Sequence, residues 1–176
     1  MTVPSEPEPW LRGPVPDIAP LLQPVAHALL QALEDIRRAV SPLAHDQLWA
    51  RPGGAAPVGF HVRHAAGSLD RLFTYARGEM LSKTQLATLK AETAPEAQGN
   101  ATGDELVAAL QAQVERALAQ LRATPVDRLS EPREVGRARL PSTVLGLLFH
   151  GAEHTQRHAG QTVTTAKIVS GLAAAR

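Results

Sequence analysis

Residues Phe149 to Gln161 read "FHGAEHTQRHAGQ", and they set His150, His154 and His158 at intervals of four. That interval is the helical one, so the three rings share a stripe of a single helix. The chain has seven histidines, and a core has no use for three of them on one stripe, because a buried imidazole must find a partner. A solvated face would be built from Glu, Lys or Gln. A metal ion is the remaining explanation, and it requires the surrounding chain to be helical.

Working outward, the apolar residues keep helical spacing almost throughout. Pro141-Ser142-Thr143 is expected to open the helix that carries the histidines, which runs to about Val169. Before it, Leu106, Leu110, Val114, Leu118 and Leu121 form a stripe behind Thr102 and Glu105, which have capping-box spacing. Val62, Ala65, Leu69, Leu72, Phe73 and Ala76 mark a helix from about Val58 to Arg77 that Gly78 ends. Leu22, Val25, Leu29, Leu33, Ile36 and Val40 mark another, with Pro24 near its start and Pro42 beyond its end. A weaker helical stretch covers Lys83 to Ala91, followed by the polar loop "APEAQGNATG". Residues 124–140 hold two prolines, four arginines and three acids and read as a long connection. No stretch alternates as a strand would, and no internal repeat is visible. The expected fold is all-α: a four-helix bundle over residues 18–176, preceded by an extended proline-rich arm over residues 1–17.

Composition limits what such a bundle does. At 176 residues one domain suffices, burying about 70% of its unfolded surface. With 44% apolar but only 3% aromatic residues, the core must be Leu, Val and Ala, which favours closely packed helices. Cysteine is absent, which removes disulfides, thiolate ligands and a cysteine nucleophile. The formal charge is +1 with no basic stripe, so nucleic acid is not an expected partner. No apolar run approaches the roughly 20 residues of a bilayer span. The acidic, proline-rich start is unlike a signal peptide, so a cytoplasmic protein is expected. The glycosylation-like Asn100–Thr102 is then a chance match.

Residues four apart on a helix bring their rings together, but residues eight apart are separated by about 12 Å along the axis. Metal–nitrogen bonds are only about 2.0–2.1 Å. A single ion can therefore take His150 with His154, or His154 with His158, and it needs a ligand from another helix. The second helix offers His61 and His64 in "GFHVRHAAGSLDRL", ahead of small residues that let a neighbour approach. Periodicity does not choose between them, although His61 lies nearer the apolar stripe.

"HAAGSLDRL" on a second helix together with "HTQRHAGQ" on a fourth resembles the DinB/YfiT-like superfamily of bacterial metalloenzymes. The resemblance implies a bundle in up-down-down-up order. It also implies a metal held by one second-helix histidine and by the His-x3-His before Gly-Gln. Carried over, the ligands are His64, His154 and His158, with His150 left out and His61 set aside. Zn or Ni is the expected divalent ion, with Fe a further option, since imidazole suits them all. Between His154 and His158 stand Thr155, Gln156 and Arg157, and Glu153 points away, so the acid of a "HExxH" protease is missing. Some members of the superfamily resemble thiol-dependent transferases, which implies a small-molecule thiol as cosubstrate. The expected function is a metal-dependent thiol S-transferase or hydrolase. The alternative is a non-catalytic metal-binding, stress-response bundle that acts as a homodimer or through a protein partner.

Overall fold

The computed structural model describes residues 6–92, 99 and 101–174. The first helix, α1 (Gln23–Val40), carries Pro24 in its first turn, where the missing N–H costs nothing, and buries Val25, Leu29, Leu33 and Ile36. A five-residue helix, α2 (His45–Trp49), follows. The α3 helix (Val58–Ala76) ends at Gly78, whose φ of 82° suits a residue without Cβ. Next come α4 (Lys83–Glu92) and α5 (Gly103–Ala123). At the start of α5 the Thr102 hydroxyl accepts from the Glu105 N–H, and the Glu105 carboxylate accepts from the Thr102 N–H, as the capping-box spacing predicts. The last helix, α6 (Val144–Ala174), is 31 residues long.

Two expectations need correcting. The connection before α6 is not strand-free: β1 (Pro132–Val135) and β2 (Leu140–Thr143) pair antiparallel, with Val135 opposite Leu140. The fold is thus mostly helical with a small hairpin, not all-α. Pro141-Ser142-Thr143 accordingly belongs to β2, and α6 begins at Val144, with the Thr143 hydroxyl accepting from the Gly146 N–H. The hairpin has a structural task, since Arg133 donates to the Ala76 carbonyl at 2.8 Å and so caps the C-terminal end of α3.

The core is shared by α1, α3, α5 and α6, with α3 packed most extensively on α6 and then on α5. Leu22, Leu29, Ile36, Leu69, Phe73, Leu110, Leu121 and Leu148 are fully buried in it. The proline-rich segment lies along α1. Arg12 forks onto Glu34 at 2.6 and 2.9 Å, and the Gln23 side chain bonds the backbone of Val15 and Ile18. Most of the polar loop expected after α4, including Asn100, lies outside the described residues. Among those described, no helix is long and apolar enough to cross a membrane.

Candidate metal centre

Small residues set the spacing of α3 and α6. A Cβ on Gly151 would fall 2.9 Å from the Phe73 ring, so the helices touch where α6 has no side chain. This approach sets His61 and His64 of α3 against His154 and His158 of α6. His64 Nε2 lies 3.2 Å from His154 Nε2. The His158 ring centroid is 4.7 Å from those of both His64 and His154. One ring nitrogen from each of His64, His154 and His158 falls within a sphere of contacts no longer than 4.8 Å.

His150 and His61 flank this trio without belonging to it. His150 is half-exposed, with its Nδ1 3.3 Å from a Glu153 carboxylate oxygen. His61 is buried, and its Nδ1 lies 3.1 Å from His158 Nδ1, so it backs His158 from behind. Its place on the apolar stripe therefore signals burial, whereas His64, at the edge of the stripe, reaches the trio. Gln161 is exposed, and Glu153 is taken up by Arg157.

Sequence reasoning missed the carboxylate of the site. Glu92, the last residue of α4, is only 2% exposed. Its Oε2 accepts from His64 Nδ1 at 2.8 Å, and Arg71 forks onto both its oxygens at 2.5 and 3.2 Å. Gly67 makes room for it, since a Cβ there would overlap Glu92 Oε1. The one available signal was Arg71, an arginine amid Leu69, Leu72 and Phe73, because a buried guanidinium demands an anion.

The electrostatics favour neutral imidazoles at His158, His154 and His61. Burial, followed by the charges of His64, His154, His61 and Arg157, lowers the His158 pKa to about 3. Burial and then His64 lower His154 and His61 as well. Burial alone would raise Glu92, but hydrogen bonds from His64 and Arg71 and the charge of Arg71 outweigh it and hold the carboxyl below its usual value. Neutral rings keep lone pairs for an ion. Metal–nitrogen bonds of about 2.0–2.1 Å place two ligand nitrogens roughly 3–3.4 Å apart, and the 3.2 Å between His64 and His154 fits that. The buried Nδ1 of His154 has no hydrogen-bond partner, which leaves its Nε2 as that ring's only engaged nitrogen. The donor set fits a divalent borderline metal.

A mostly helical fold with three histidines converging from two of its helices defines a class of helical proteins able to hold a metal ion. The model of the DinB superfamily matches residues 28–162, and the chain belongs to that superfamily. No curated protein matches it. Among solved structures it is similar to a conserved protein from Enterococcus faecalis, with a TM-score of 0.68 and 22% identity, covering 85% of this chain and 97% of the other. At that identity the likeness speaks for the fold alone.

Proposed function

We propose that the protein binds one divalent ion through His64, His154 and His158 and uses it as a metal-dependent enzyme, a thiol S-transferase in the first place. The observation that carries this reading is the convergence of three ring nitrogens within 4.8 Å. A bound ion supplies positive charge that lowers the pKa of a coordinated thiol or water. The chain's own residues do the rest. His61 braces His158, Glu92 braces His64, and the Phe60 ring stacks on His64 at 5.5 Å as an apolar wall. Hydrolysis is the weaker version of the proposal. Among the described residues the carboxylate nearest the trio is Glu92, and its oxygens are engaged by His64 and Arg71.

That same engagement favours a second reading, in which the ion is bound without turnover and the protein acts as a homodimer or on a protein partner. The four long helices are read here as an up-down-down-up bundle. In support, Arg37 pairs with Gln111 and Val40 faces Gly103, while His61 pairs with His158 and His64 with His154. Both pairings run in opposite chain directions, whereas the end of α3 at Phe73 and Arg77 meets the end of α5 at Gln120, so those two helices run the same way.

Metal analysis and a zinc titration test the central claim. The wild type should take up about one ion per chain, His64→Ala, His154→Ala and His158→Ala should each lose tight binding, and His150→Ala should keep it. A wild type that takes up neither Zn nor Ni refutes it. With the metal loaded, conjugation of an electrophile should require both the ion and a small thiol. If calorimetry detects no thiol binding across several thiol classes, the non-catalytic reading takes over.

A further inference from the structure

We propose that Glu92 is the positioning residue of the trio: it holds the His64 ring in its Nδ1–H form, so that the Nε2 lone pair faces His154 and His158. This rests on reading the trio as metal ligands. An ionised carboxylate only accepts hydrogen bonds, so the His64 nitrogen 2.8 Å from Glu92 Oε2 must be the donor. Arg71, always protonated, forks onto the same carboxylate and keeps it ionised where it is 2% exposed. A histidine side chain free in water prefers the opposite form, with the proton on Nε2. In that form the His64 proton would point at His154 Nε2, 3.2 Å away, where an ion needs a lone pair. Glu92 reverses the preference and, as an anion behind the ring, makes Nε2 the stronger donor.

The surroundings of Glu92 are built for this task. Gly67 leaves the space its carboxylate fills. The α4 helix that delivers it buries little else: Leu86 and Leu89 stay 43% and 39% exposed. Polar bonds hold that helix instead, with Gln85 donating to Asp70 and Thr74 at its start and Glu92 accepting from His64 and Arg71 at its end.

Two measurements on the full chain test the proposal. Nitrogen-15 NMR of the imidazoles in the metal-free wild type should show the His64 proton on Nδ1, and Glu92→Gln should move it largely to Nε2. Competition with a zinc chelator should show Glu92→Gln binding Zn²⁺ about 10–100-fold more weakly than wild type. An Nε2–H form in the wild type overturns the proposal, as does an affinity loss in Glu92→Gln without a change of tautomer. Unchanged affinity overturns it too, and leaves the trio standing. A wild type that binds no Zn²⁺ refutes the ligand reading instead, and the tautomer then decides the role of Glu92 by itself.

Discussion

Replacing Gly67 with Ala sets two known effects against each other. In an exposed helix interior Ala is more favourable than Gly by about 1 kcal/mol. At Gly67 the added methyl would overlap Glu92 Oε1 and stand 2.9 Å from Arg71 Nη1 and 3.3 Å from Glu92 Cδ. Glu92 has no easy retreat, because His64 and Arg71 hold it and it is 2% exposed. Separating a buried ion pair costs about 3–5 kcal/mol. The net expectation is a loss of roughly 2–4 kcal/mol after the propensity gain is subtracted. Urea unfolding of the metal-free protein measures it, with an unchanged slope and a lower midpoint. Gly160→Ala on α6 is the control, since nothing lies within 4 Å of its added Cβ. It should stabilise by about 0.5–1 kcal/mol. A Gly67→Ala protein as stable as wild type, or more so, refutes the account of how Glu92 is seated.

Two further outcomes follow from the structure. Unfolded, His158 titrates near 6.5, but in the metal-free fold it does so at about 3, so between these values the unfolded chain binds a proton that the folded one refuses. Stability is therefore complete above about pH 6.5 and falls as pH drops towards 3, by about 2 kcal/mol at pH 5 from this residue; His154 and His61 add in the same direction. Denaturation midpoints that stay flat between pH 7.5 and 5 would contradict this, and His158→Gln should flatten the curve. Away from the histidine trio, Thr102→Ala removes the hydroxyl that accepts from the Glu105 N–H and should cost about 1 kcal/mol, read as a lower melting temperature; no change would mean the first turn of α5 does not rely on its cap.

The helices were legible because their apolar stripes are long. Val25 to Val40, Val62 to Ala76 and Leu106 to Leu121 each repeat over several turns, and Gly78 and Thr102 mark ends by local chemistry alone. The hairpin was not legible, because its strands are four residues each and contain Pro132 and Pro141, too short and too proline-rich to show a period of two. Its turn relies on positive φ at Gly136 and at Arg139, and arginine gives no hint of that. The α2 helix spans five residues, less than two turns, so it has no stripe to read. Of the site, the His-x3-His interval was plain, but the choice of His64 over His61 came from resemblance, as periodicity did not decide between them and leaned, if anything, to His61. Glu92 was invisible because α4 presents no apolar face, and its contact with His64 spans 28 positions.

The segment packed along α1 bears on where this protein is divided for experiment. The superfamily match begins at residue 28, yet Ile18, Leu22, Val25 and Ala26 ahead of it are all buried. A chain trimmed to the matched residues would start inside α1, lose Gln23, which closes the turn before it, and leave Glu34 without Arg12. At the far end it would discard Thr165, Ala166 and Val169, which are buried as well. The buried core thus extends past the matched residues at both ends, and fusion partners or cleavage sites belong outside Glu8 and Val169.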